Sequence, residues 1–157
     1  MEIDGDFHLQ LTKNESNDGG ACFSADDRKI FFHSNRNGSY DIFVMKSDGS
    51  LPMTILGDPD VNEVNPFTSP DSLHFVYFSD EGGNYDLYQA KTDGSEIERL
   101  TVNPAKDTDG VYSPDGKTIA FQSDRNGNYD IFILNLEATS EPTVNSVLSQ
   151  LNQLIGK

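Results

Sequence analysis

The sequence predicts an all-β chain built from three copies of one four-stranded unit, and three observations carry that expectation. A serine-centred turn recurs at Phe23-Ser24-Ala25-Asp26-Asp27, Thr68-Ser69-Pro70-Asp71-Ser72 and Tyr112-Ser113-Pro114-Asp115-Gly116, which sets the serines 45 and 44 residues apart. A second landmark keeps the same intervals: Ser34-Asn35-Arg36-Asn37-Gly38-Ser39-Tyr40-Asp41, Ser79-Asp80-Glu81-Gly82-Gly83-Asn84-Tyr85-Asp86 and Ser123-Asp124-Arg125-Asn126-Gly127-Asn128-Tyr129-Asp130. Between the landmarks, runs such as Ile30-Phe31-Phe32-His33 and Phe75-Val76-Tyr77-Phe78 are apolar on both faces, as a strand sandwiched between neighbouring sheets must be. Units of about 40 to 45 residues whose sheets bury both faces are the blades of a β-propeller.

Taken in order, Met1 to Thr12 aligns with Met45 to Leu56 through the shared Asp-Gly of Asp4-Gly5 and Asp48-Gly49. Residues 1–12 therefore read as an outermost, fourth strand. Three blades follow over about 13–56, 57–101 and 102–136, their strands separated by Ser-Pro-Asp-Gly, Asn-Gly or Gly-Gly, and Asp-Gly turns. In the third copy only three strands are expected, near 109–112, 118–123 and 129–136, with the fourth missing. Closed propellers carry about 4 to 8 blades, so three blades would need a companion. Two chains, each lending residues 7–12 to the other's third blade, would give six blades as a homodimer; a piece of a longer product is the other reading. After a linker at 137–142, Val144, Val147, Leu148, Leu151, Leu154 and Ile155 fall at helical spacing and predict an amphipathic α-helix over 143–156.

Composition narrows the function classes. The chain carries 26 acidic against 11 basic residues, a net charge of −15, which disfavours nucleic acid and anionic membrane as partners. The single cysteine, Cys22, forms no intrachain disulfide. As written the chain has no export signal, so a soluble cytoplasmic protein is expected, or a periplasmic one if a signal was removed.

The repeat, best seen from Ser113 to Leu136, resembles the WD40-like repeat of the TolB-type β-propeller family: Ser-Pro-Asp-Gly-Lys, an apolar strand, Ser-Asp-Arg, Gly, Asp-Ile-Phe. The resemblance covers about residues 1–136 and implies a propeller fold; the six blades familiar in that family, and protein binding, are expectations it adds.

Several residues carry candidate chemistry. Asp26, Asp71 and Asp115 recur in every turn, where a short acid accepts hydrogen bonds from its own loop, and they read as architecture. Arg36 with Asp41, and Arg125 with Asp130, are expected to form intrablade clamps; Glu81 replaces the arginine in the second copy, so no clamp forms there. The segment 124–130 also has the alternating oxygen side chains of a calcium loop but lacks the distal Glu. Asp18, Glu63, Asn65, Asp107 and Asp109 precede or open the innermost strands and are expected to gather at one mouth of the central channel. That acidic mouth suits a protein or peptide partner; a Ca²⁺ or another divalent cation is the alternative ligand, and no other cofactor is expected. No Gly-x-Ser-x-Gly or His-Glu-x-x-His motif is present. A non-catalytic scaffold is therefore the first reading, with a metal-dependent hydrolase or lyase using the mouth carboxylates second, and a structural half-propeller without its own ligand third.

Overall fold

Residues 8–139 are described by the structure, a computed structural model. The expected helix over 143–156 and residues 1–7 lie outside the described residues.

Among the described residues the chain forms three antiparallel sheets in sequence order. The first holds β1 (Asp18–Phe23), β2 (Lys29–Ser34), β3 (Asp41–Lys46) and β4 (Met53–Leu56). The second holds β5 (Glu63–Thr68), β6 (His74–Ser79), β7 (Asp86–Lys91) and the short β8 (Glu98–Arg99). The third holds β9 (Asp107–Tyr112), β10 (Thr118–Ser123) and β11 (Asp130–Asn135), followed by a 3-10 turn at Leu136–Thr139. Among the described residues its outer edge is β11.

The recurring turns explain why the strands begin where they do. Ser24, Ser69 and Ser113 each hydrogen-bond an acid two residues on, Asp26, Asp71 and Asp115, at 2.6, 2.5 and 2.6 Å. The same hydroxyl oxygens accept the backbone N–H of Lys29, His74 and Thr118, closing each loop onto the next strand. In all three acids the serine hydroxyl is the main cause holding the carboxyl below its ordinary range.

Blades stack face to face, and the core lies between them. Phe31, Ile42 and Val44 of the first blade meet Phe75, Tyr77, Tyr88 and Ala90 of the second. Val76 and Leu87 of the second meet Tyr112, Ile119 and Phe121 of the third. The ends of the outer strands join these layers: Ile55 packs against the cluster between the first and second blades and Leu100 against that between the second and third. Leu11, at the equivalent repeat position, packs on the leading face of the first blade against Ile30, Phe32, Phe43 and Met45. The contact is close, since a Cβ on Gly49 would stand 3.2 Å from Leu11, as one on Gly94 would stand 2.1 Å from the Ile55 carbonyl oxygen. Leu11 thus stands against the first blade's turn as Ile55 stands against the second's.

The trailing face of the third blade has no such cover among the described residues. Ile42 and Leu87 are fully buried at one repeat position, whereas Ile131 at that position is 72% exposed. Ile133, on the same face, is equally exposed.

Candidate functional site

The innermost strands β1, β5 and β9 line up along the would-be axis, and each is broken by a bulge at the same repeat position. Gly20, Asn65 and Asp109 occupy the bulges with φ of 58°, 52° and 54°. Gly, Asn and Asp are the residues that enter this left-handed region at least cost, so the repeat keeps a conformation while varying the side chain. Together with Ala21, Cys22, Pro66, Phe67 and Val111 these residues line a shallow groove across the three strands.

Side chains in the groove are tied across the blades. Asn65 Nδ2 donates to Asp109 Oδ1 at 2.6 Å, and Gln122 Nε2 donates to Asp109 Oδ2 at 3.2 Å. The Asn65 backbone N–H donates to His33 Nδ1 at 3.2 Å, and burial holds His33 below its ordinary pKa despite the nearby Asp18 charge. Glycine at position 20 leaves room for this arrangement, because a Cβ there would lie 2.6 Å from His33 Nδ1 and 2.5 Å from Asn65 Oδ1.

Of the five expected mouth residues, the structure brings only Asn65 and Asp109 together in the groove. Asp18, Glu63 and Asp107 begin their strands opposite Ser34, Ser79 and Ser123 and turn into the blades. Arg36 Nη2 lies 2.9 Å from Asp18, and Arg125 Nη2 lies 2.9 Å from Asp107, while each arginine's Nε donates to Ser34 or Ser123 at 2.9 Å. This corrects the expected clamps of Arg36 with Asp41 and Arg125 with Asp130. The serine has an acid on either side in register, and the arginine, two residues beyond it, curls back across the aromatic pair toward the innermost strand. Arg36 then sits 4.5 Å above Phe43 and Arg125 4.4 Å above Phe132. Asp41 is instead bonded by Asn37 and Ser39, and the exposed Asp130 by Asn128. Burial of Asp18, which alone would raise its pKa, is outweighed by Ser34, Arg36 and its other partners, and the carboxyl is held at about 2.

The second blade departs from this pattern. Glu63 stands where Asp18 and Asp107 stand, and it faces Glu81 rather than an arginine. It is 8% exposed, and its Oε2 has no hydrogen-bond partner. Burial, with Asp41, Asp58, Glu81 and Asp80 around it, pushes the carboxyl up to about 8. Arg99 from β8 serves the other acid, Asp86, and the Thr101 carbonyl. His33, Gln122, Glu81 and Arg99 were not legible as site residues, although the Gly, Asn and Asp four residues before each turn serine signalled the bulge. The 124–130 segment is a hairpin connection with Gly127 at φ 96° and Asp124 accepting the Lys106 N–H. Among the described residues no group of three or more His, Cys, Asp or Glu is placed to hold a metal, and no helix is long and apolar enough to cross a membrane.

A family model described as TolB beta propeller domain matches residues 54–152. No curated protein is significantly similar to the chain in sequence. Among solved structures, TolB from Acinetobacter baumannii is similar with a TM-score of 0.79 and 24% identity, over 88% of this chain and 34% of that one. A candidate TolB from Agrobacterium tumefaciens is similar at 0.68 and 25% identity, over 80% of this chain and 44% of that one. An oligogalacturonate lyase in complex with manganese shares the fold at 0.57 and 14% identity, over 74% of this chain and 36% of that one. The chain spans less than half the length of each of these structures.

Proposed function

The chain belongs to the TolB beta propeller domain family, and from that premise we propose that it is a non-catalytic binding scaffold. In this reading it forms half of a six-bladed ring closed by a second copy, and its axial groove receives an extended segment of a protein partner.

The observation that carries the reading is the trailing face of the third blade. Ile131 and Ile133 expose 72% of their surface where the equivalent Ile42 and Val44 of the first blade are buried. Covering two such side chains is worth about 1.5–3 kcal/mol each, and among the described residues β11 has an unpaired edge beside them. The leading face of the first blade, covered by Leu11, is the complementary surface. A closed ring would bring the Gly20, Asn65 and Asp109 bulges of both copies around one channel. Enzymatic use of the mouth carboxylates has less support, because Asp18 and Asp107 are each neutralised by an arginine and Asp109 is engaged by Asn65 and Gln122.

Light scattering tests the ring. A mass of twice 17.4 kDa, falling to the single-chain value when Ile131 and Ile133 are both changed to Asp, is expected; a monomer of the unaltered chain overturns it. The groove is tested with peptides selected from a random library on the protein: loss of about tenfold or more in affinity on Asp109→Asn is expected, and binders indifferent to that change overturn the groove as the site.

A further inference from the structure

The three blades share a seat for a guanidinium, and one of the three seats has no guanidinium in it. In the first blade the seat consists of Asp18, Ser34 and the stacked rings of Phe32 and Phe43, whose centroids are 5.6 Å apart at 28°. Arg36 fills it, with 23% of its side chain still exposed. In the third blade Asp107, Ser123, Phe121 and Phe132 hold Arg125 in the same way, at 30% exposure. The seat therefore opens to solvent at the hairpin turn.

In the second blade every part of the seat except the cation is present. Glu63 supplies the carboxylate, Ser79 the hydroxyl, and Tyr77 and Tyr88 the stacked rings, 5.7 Å apart at 28°. Ser79 keeps its turn, accepting the Glu81 N–H at 3.2 Å, but Glu81 brings a second negative charge in place of the arginine. Arg99 does not replace it: its guanidinium lies over the outer ring only, 5.9 Å from the Tyr88 centroid, and is bound to Asp86. Glu63 Oε2 is left buried with no partner, a condition that protonation does not relieve, since a carboxylic O–H needs an acceptor just as the carboxylate needs a donor. A surface cleft lined by Glu81, Gly82, Tyr88, Ile97 and Arg99 opens beside the Tyr88 ring.

We propose that the second blade's seat binds the guanidinium of an arginine side chain supplied from outside the chain, with Glu63 and Glu81 as the paired carboxylates, Ser79 as the acceptor for Nε, and Tyr77 and Tyr88 as the stacking bed. The planar fork of a guanidinium matches two carboxylates and an aromatic face together, which an ammonium does not. All the charged groups around Glu63 that raise its pKa, Asp41, Asp58, Asp80 and Glu81, are acidic, so a cation entering here also removes the proton from Glu63. The seat lies within one blade and does not depend on ring closure.

The test is titration calorimetry on the full chain with N-acetyl-arginine amide, with N-acetyl-citrulline amide as the uncharged isostere. Binding of the arginine compound alone is expected, with a heat that varies between buffers of different ionisation enthalpy because Glu63 gives up a proton. Glu63→Gln is expected to weaken binding by about tenfold or more. Glu81→Arg, which rebuilds the arrangement of the sister blades, is expected to abolish binding and raise the unfolding midpoint by about 4 °C or more. An arginine-containing pentapeptide that binds more tightly than the single residue marks a peptide source, and equal affinity marks the free amino-acid derivative. No binding of the arginine compound to the folded chain, equal binding of the citrulline compound, or undiminished binding by Glu81→Arg overturns the proposal. A monomer that still binds arginine refutes the ring alone.

Discussion

Replacing Glu63 by Gln should stabilise the protein, and by an amount that depends on pH. The carboxyl ionises near 4.5 in an unfolded chain and near 8 in the folded one, where burial and four neighbouring acids oppose its charge. Through that interval the folded state holds a proton that the unfolded state has lost. Stability from this group is therefore full below about pH 4.5, falls as pH rises, and levels off above about pH 8. At about 1.36 kcal/mol per pH unit, the whole interval is worth at most about 5 kcal/mol. Glutamine keeps the shape and carries no charge, so urea unfolding at pH 5 and at pH 8.5 should show Glu63→Gln close to wild type in the acid and more stable in the base, with an unchanged m-value. Equal differences at both pH values, or a less stable variant at pH 8.5, would show that Glu63 is not held in a charge-opposing site.

Other expectations follow from the same contacts. Arg125→Ala leaves Asp107, fully buried, without its cation, and should cost about 3–5 kcal/mol in urea unfolding, with a much smaller loss in an Asp107→Asn background. Asp18, held at about 2 against an ordinary 3.8, contributes stability that is present above pH 3.8 and lost as pH falls toward 2; Asp18→Asn should flatten the acid limb of the stability curve there. Gly94 has φ +84° and would place a Cβ 2.1 Å from the Ile55 carbonyl oxygen, whereas Gly38 has φ +119° and open space around it. Gly94→Ala should therefore lower the unfolding midpoint well beyond the effect of Gly38→Ala, which carries only the roughly 1 kcal/mol cost of its backbone region.

The blade repeat was legible because its signals are local. Ser24, Ser69 and Ser113 close their turns with an acid two residues away and a backbone N–H five residues on, and such bonds need nothing from the rest of the fold. The candidate site was less legible. Arg36 and Arg125 each stand within reach of two acids, one on each flank of the central strand, and sequence distance favoured the nearer, Asp41 and Asp130. The arginines pair with the farther acids, Asp18 and Asp107, while lying over Phe43 and Phe132 of the outer strands, and the nearer acids are taken by the turn side chains Asn37, Ser39 and Asn128. His33 likewise entered the groove only because Gly20 has no side chain to exclude it.

By itself the sequence determined the all-β class, the three repeated sheets seen among the described residues and the turn chemistry, since each depends on contacts within one repeat or on a period that a repeat displays openly. Only the tertiary structure decided which carboxylates face the axis and which are neutralised inside a blade, and that Glu63 is left buried without a partner. Those outcomes depend on strands many residues apart being laid side by side, where register and ring packing, rather than residue type, choose the partner of each charge.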